Sequence, residues 1–504
     1  MHTQGRILSA LLAGFLSLSG CSGGDPTGGS GDDPMPDPDP TWTKSPPEIT
    51  PGASGRFLLR GTLLLPQGPL VGELLVEGNL ITCVAESCAS AAGAAGATVI
   101  RTGGVIFPGM LDGHNHGLFN IFDEDDWNPG RFYGSHNDWT SDTRYQQVLD
   151  AKQYLNKDVT SPVDLRCEID KYAELKALIA GTTSFTLAPG AVELACYSSL
   201  ARTIDTSRNG LGTDLLRTAI SVPSASGAQT ICNAYAAGTC NAYAVHVAEG
   251  INATARNEFA TLESRMSGCL LAPQTSIVHG TALGEAEFSK MAVAGMRLIW
   301  SPKSNLFLYN DTTRIDLALL AGVKTIALAP DWSLGGSVNL LDELRVANQV
   351  SQSKWNGVLS AQRLFDMVTI DAARALGVDA SLGSLEVGKR ADLVLARIDP
   401  SQPYASLLTA SPRDLDLVMV DGKPLYGTLE LKAAAPSTPG CEELSLCGAT
   451  KFLCVAESST QNKLNQTYAE IVDVLRSNLT TYHGMVSSLG VAPLTPLAPL
   501  MRCP

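Results

Sequence analysis

Apolar and polar positions along this chain fall into two textures. Phe57–Leu65 (FLLRGTLLL), Gly72–Glu77 and Leu80–Val84 are short apolar runs broken by turn residues and read as strands. The same texture returns between Leu385 and Val420, where ADLVLARI and LDLVMV stand between turns. Strand-rich flanks on both sides of a long middle predict a small composite β-sandwich built from 55–104 plus 385–431. Across 105–384, apolar runs alternate with helical stretches, the pattern of parallel βα units. Seven strands are predicted there: Gly104–Asp112, Thr182–Leu187, Leu215–Val222, Ala242–Val247, Thr275–His279, Met296–Ser301 and Lys324–Ala329. One more would complete an eight-stranded barrel, and it is sought near Tyr235 and Cys240 or within 118–160. The expected fold class is α/β, a (β/α)8 TIM-like barrel with the composite β-sandwich. A short Cys-containing appendage with a helix-like stretch at Asn462–Ser477 follows at 432–504.

The start of the chain is different. One Arg precedes the apolar run Ile7–Leu18, which is too short to span a bilayer, so residues 1–20 read as a cleaved export signal. Leu18-Ser19-Gly20-Cys21 resembles the bacterial lipobox, which makes Cys21 the candidate lipidation site; a plain secretory signal is the alternative. Ser22 after that Cys is similar to lipoproteins sent to an outer membrane. Residues 21–54, rich in Gly, Pro, Asp and Ser, have too little apolar surface to offset the entropy of ordering and read as a tether. Its coil span is about 30 Å at ~5–6 Å × √n. The expected location is therefore the cell envelope, with the membrane engaged through a lipid anchor only.

Charge then removes a class of partner. Across 504 residues, 36 Lys and Arg against 50 Asp and Glu leave −14, the wrong sign for releasing counterions from nucleic acid. No run of about 18 apolar residues is present to cross a membrane. Twelve Cys, less an acylated Cys21, leave an odd number. Cys83/Cys88 and Cys232/Cys240 are spaced for local bridges, and Cys167/Cys196 for a looser one. Cys441, Cys447, Cys454 and Cys503 allow two bridges in three connectivities, and Cys269 is the expected leftover thiol. Without CxxC pairs, disulfides are favoured over a zinc ribbon.

Chemistry is concentrated at strand ends. VIFPGMLDGHNHG closes an apolar run with His114 and His116, whose i, i+2 spacing points both imidazoles to one face. AYAVHVAEG places His246 after another run with Glu249 three residues on, TSIVHG places His279, and TIALAPD ends in Asp331. A parallel barrel gathers ligands in this way at one rim.

These motifs, with SPKSN and GSLEVGKRADLVLA, resemble the amidohydrolase superfamily of metal-dependent hydrolases, closest to its cytosine-deaminase, chlorohydrolase and adenosine-deaminase-like branch. The resemblance spans about residues 55–430. It implies that His114, His116, His246 and Asp331 bind one divalent metal, with Glu249 and His279 as proton shuttle and polarising group and Asp331 as an acceptor for the attacking water's proton. Three imidazoles and a carboxylate suit Zn²⁺, or Fe²⁺ by availability. Dinuclear members commonly carry a bridging carboxylated Lys on a middle strand. No Lys occurs between Lys176 and Lys290, and Glu193 is poorly placed to bridge, so a mononuclear site is expected.

After His116 the chain is long and aromatic, with Phe119, Phe122, Trp127, Phe132, Tyr133 and Trp139, and with Arg131 and His136 among them. Trp127 and His136, with Asn305 and Trp332, are the candidate substrate-binding residues for a small molecule. The expected activity is hydrolysis of non-peptide C–N bonds, by deamination of an N-heterocycle or by amide cleavage. The alternatives are hydrolysis of a halide or ester on the same metal, or a tethered binding lipoprotein without turnover.

Overall fold

The computed structural model describes residues 43–158, 161–187, 193–213 and 215–503. The signal segment, Cys21 and the tether up to residue 42 lie outside them. Order begins earlier than the expected tether end: β1 (Glu48–Thr50), β2 (Ala53–Leu65), β3 (Gly68–Glu77), β4 (Leu80–Ala85) and β5 (Ala97–Pro108) already belong to the large sheet. β2 and β3 form one long hairpin, from Arg56↔Glu77 to Leu65↔Gly68.

The strand expected at Gly104–Asp112 splits at Gly109. Its first part is the end of β5, and its second part, β6 (Met110–Leu111), starts the parallel strands. A Cβ at Gly109 would sit 2.2 Å from Thr183 Oγ1, so this crossing between sheets has room only for glycine. The parallel strands continue as β7 (Thr182–Phe185), β8 (Arg202–Thr203), β9 (Leu216–Ala219), β10 (Ala242–Val247), β11 (Thr275–His279), β12 (Arg297–Trp300) and β13 (Ile326–Leu328). They form a three-stranded sheet β6-β7-β8 and a five-stranded sheet β13-β12-β11-β10-β9. The Asn115↔Asp331 bridge and the bond from Gly113 N to Leu328 O (3.3 Å) connect the ends of β6 and β13.

Neither region expected to hold the missing strand contains it. Tyr235 lies in the helix Ala225–Ala237, and 118–160 carries short helices and the helix Thr143–Leu155. The missing strand is β8, two residues long and polar. Its Arg202 is buried between Asp392 (3.1 Å) and Asp421 (3.0 Å) of the large sheet, so burial there is met by ion pairing and leaves no apolar run to read.

β14 (Leu393–Ala396), β15 (Leu415–Val420), β16 (Lys423–Thr428), β17 (Glu442–Leu446) and β18 (Ala449–Leu453) complete the ten-stranded sheet, which runs β17-β18-β16-β15-β14-β5-β2-β3-β4 with β1 on β5. Residues 432–504 are therefore no detached appendage: β17 and β18 extend this sheet. The helix Tyr468–Val486, capped by Thr467 and Glu470, buries Ile471, Leu475 and Leu479 and packs on the helices Arg166–Ile179 and Thr143–Leu155. Beyond it the chain lies as a strap along 121–144. Arg144 donates to Ala492 O (2.7 Å) and Pro493 O (2.8 Å), Ala498 N donates to Ile121 O (3.0 Å), and Arg502 pairs with Asp123 (3.0 Å) and Asp125 (2.7 Å).

Disulfides join Cys83–Cys88, Cys167–Cys196, Cys441–Cys454 and Cys447–Cys503. Cys232 bridges to Cys269 and not to Cys240. Cys240 lies beyond the helix cap at Gly238, buried, with its Sγ donating to Ala242 O (3.1 Å), whereas Cys269 ends a turn packed on the helix that carries Cys232. No helix among the described residues is long and apolar enough to cross a membrane.

Candidate metal centre and catalytic site

The parallel strands deliver their chemistry just past their C-terminal ends. His114 and His116 follow β6, and Asn115 between them turns the other way, donating to Asp112 Oδ2 (2.7 Å) in a buried polar layer. His246 lies in β10, His279 ends β11 and Asp331 follows β13. His279 and Asp331 have φ of 67° and 71°, a backbone region that costs non-glycine residues on the order of 1–3 kcal/mol and concentrates at functional sites.

Imidazole and carboxylate atoms converge. His114 Nε2 lies 3.2 Å from His116 Nε2 and 3.1 Å from Asp331 Oδ1, and His116 Nε2 lies 3.5 Å from that same oxygen. Two ligand sets overlap at His114: His114, His116 and Asp331, and His114, His246 and His279. Burial pushes His114 and His116 down to about 3 and His246 to about 4, so all three rings are neutral and keep a lone pair for a cation. His246 Nδ1 sits 3.0 Å from Ala219 O, which places its proton there and turns Nε2 toward the cluster. Asp331 Oδ2 accepts from Ser304 Oγ (2.6 Å), while Oδ1 is buried with no hydrogen-bond donor among the described residues. An orphaned carboxylate oxygen facing neutral imidazoles fits a divalent cation.

Glu249 lies beside this cluster. Its Oε1 accepts from Tyr309 OH (2.7 Å), and its Oε2 is 3.3 Å from His136 Nδ1 and 3.8 Å from His279 Nε2. His136 also meets Glu258 through Nε2 (3.1 Å). Hydrogen bonds to Glu249, then to Glu258, raise His136 from 6.5 to about 10 and make it an imidazolium at neutral pH. Because the folded value is raised, its stabilising contribution is complete below pH 6.5 and is lost as pH climbs to about 10. Thermal midpoints of wild type and His136→Gln, followed from pH 7 to pH 10, are expected to converge; parallel curves would contradict this.

A cavity of about 420 Å³ opens over the cluster, lined by His116, Phe119, His136, Trp139, Tyr145, Glu249, His279, Asp331 and Trp332 among others. Of the expected substrate-binding residues, Trp332 and His136 line it. Trp127 does not: it is fully buried, donates to Asp142 Oδ1 (3.1 Å) and backs Trp332 from behind. Nor does Asn305, whose Nδ2 donates to His279 Nδ1 (3.1 Å). Its Oδ1 faces Thr312 Oγ1 (3.4 Å), and that hydroxyl already accepts from Trp300 Nε1 (2.7 Å), which fixes the amide's orientation. The His279 proton is thereby placed on Nε2, toward the cavity. Ser304 and Tyr309 escaped the sequence reading. They share the helix Pro302–Tyr309 with Asn305, and Asn305 and Tyr309 stand four residues apart on one face of it.

The amidohydrolase family model matches residues 105–425, most of the chain. This chain belongs to the amidohydrolase family. The amidohydrolase is 24% identical over 426 residues to a 5-methylthioadenosine/S-adenosylhomocysteine deaminase of Moorella thermoacetica, covering 75% of this chain and 96% of that protein. It is 24% identical over 414 residues to a 5′-deoxyadenosine deaminase of Methanothermobacter thermautotrophicus, covering 75% and 94%. In fold it is similar to an adenosine deaminase from Xanthomonas campestris solved with bound zinc, with a TM-score of 0.52, 19% identity and coverage of 74% and 93%. It is likewise similar to a guanine deaminase from Bradyrhizobium japonicum, with a TM-score of 0.55, 18% identity and coverage of 74% and 99%. The family fold is TIM-barrel-like α/β with a sheet domain. The amidohydrolase is a metal-dependent hydrolase acting on C–N bonds other than peptide bonds.

Proposed function

We propose that this amidohydrolase is a mononuclear zinc-dependent deaminase of an N-heterocycle, with its eight parallel strands arranged as a (β/α)8 barrel. The observation that carries this reading is Glu249, held by Tyr309 and His136 next to His279, at the edge of the His114–His116–Asp331 cluster. The sequence relatives named above are deaminases, which supports deamination over halide or ester hydrolysis.

His114, His116, His246 and Asp331 would hold the ion, which supplies Lewis acidity and brings a coordinating water's pKa toward neutrality. The amidohydrolase's own side chains do the rest. Asp331, fixed through Oδ2 by Ser304, accepts a proton from the attacking water. His279 donates from Nε2 to the ring nitrogen beside the attacked carbon, in the tautomer that Asn305 enforces. Glu249 acts as the shuttle that passes to the leaving amine the proton the attacking water gave up to Asp331, and Tyr309 keeps its carboxylate in reach. Trp332, Phe119 and Tyr145 present flat apolar walls against an aromatic ring.

We further read the chain as exported and anchored to the cell envelope through a lipid on Cys21, working on a small molecule with no nucleic-acid partner. Five disulfides and the net charge of −14 support that reading.

The test is a panel of adenosine, 5′-deoxyadenosine, guanine and cytosine assayed for ammonia, beside chlorinated and esterified analogues assayed for chloride and alcohol. Ammonia release from a heterocycle, lost on chelation and restored by Zn²⁺, is expected. Chloride or alcohol release without ammonia would overturn the proposal.

A further inference from the structure

The cavity over the ligand cluster is lined by acids that have partners and by one lysine that has no acid partner among the described residues. Of its acids, Glu249 is engaged by Tyr309 and His136, and Asp331 through Oδ2 by Ser304. Lys152 lines the same cavity. It lies on the helix Thr143–Leu155, where Tyr145, Leu149 and Lys152 follow the i, i+4, i+7 spacing of one face, and all three line the cavity.

Among the described residues no carboxylate pairs with the Lys152 ammonium. Its partner is the face of Phe119, with Nζ 5.0 Å from the ring centroid. Phe119 in turn packs edge-on against Trp332 at 5.5 Å, so the ammonium stands on the aromatic wall that includes Trp332. The neighbouring cations are already used. Arg144 donates to Asp126 O, Ala492 O and Pro493 O, and Arg131 lies over the Tyr133 ring beside Asp142. Lys152 is half-buried, and burial pushes its pKa below the ordinary lysine range, with the charge of Asp158 opposing. A cation–π contact does not replace the hydration lost. A bound anion would.

We propose that Lys152 is an anion subsite of this cavity, and that the substrate carries a carboxylate or phosphate in addition to the C–N bond that is cut. This rests on the reading that the reaction takes place at the His114–Asp331 cluster. It adds a substrate class, an aromatic heterocycle with an anionic group, to that reading.

The test is calorimetric titration of the zinc-loaded protein with two pairs of probes that differ in charge, benzoate against benzamide and adenosine 5′-monophosphate against adenosine. Wild type is expected to bind the anion of a pair at least about tenfold tighter, with the ratio collapsing toward one in Lys152→Met and recovering in Lys152→Arg. The first pair reads a carboxylate and the second a phosphate. No binding of any anion, equal affinities within both pairs in wild type, or a contrast that survives in Lys152→Met, as an anion held by the zinc would give, overturns the subsite. Ammonia release from the two adenine probes is recorded separately. A charge contrast without ammonia would sink the deaminase reading and leave the subsite standing, and ammonia without the contrast would do the reverse.

Discussion

Asp331→Asn is expected to leave the fold intact while removing bound metal and activity together. Asn tolerates the left-handed backbone at φ 71° nearly as well as Asp does, so the substitution adds no local strain. It keeps an oxygen for Ser304 but removes the negative charge from the one ligand that is not an imidazole. Loss of an outer partner to a metal ligand typically costs about 10–100-fold in affinity or activity. Removing the charge of a ligand itself should exceed about 100-fold, with metal content well below one ion per chain. Ser304→Ala, which disturbs only the outer partner, should fall within that 10–100-fold range. Elemental analysis beside activity checks both, and stoichiometric metal in Asp331→Asn would remove this carboxylate from the ligand set.

The complementary result is expected at Glu249. Glu249→Gln conserves shape and can still accept from Tyr309 OH at Oε1, but it cannot carry a proton. Metal content should stay at wild-type level while kcat falls by about 10²–10⁴-fold, the usual range for one general acid–base group. KM should change little, because the acid's contribution is made in the transition state. Unchanged kcat would reassign proton transfer to Asp331 alone. The two variants together separate holding the ion from moving the proton.

The residues of the cluster were legible because a buried parallel strand leaves a strong trace. It is an apolar run, and what closes it stands at the C-terminal ends of the parallel strands. His114, His246, His279 and Asp331 all carry that trace. β8 does not, since Arg202 buries itself by pairing with Asp392 and Asp421 and not by being apolar. Trp127 shows another limit: an aromatic-rich segment announces packing but not which ring faces the cavity and which stands behind it. Asn305 was found for the right neighbourhood and the wrong task. Only the positions of Thr312 and Trp300 reveal that its amide aims at His279. Cys232 chose Cys269 because the nearer thiol in sequence lies beyond the helix cap.

The strap at 492–502 grips the segment 121–144 through carbonyls at Arg144 and carboxylates at Arg502, and Cys447–Cys503 moors it to the large sheet. None of these contacts includes His114, His116, His246 or Asp331. The strap therefore braces, across more than three hundred residues of sequence, the stretch that carries the cavity-lining His136 and Trp139, while the ligand cluster is held without it.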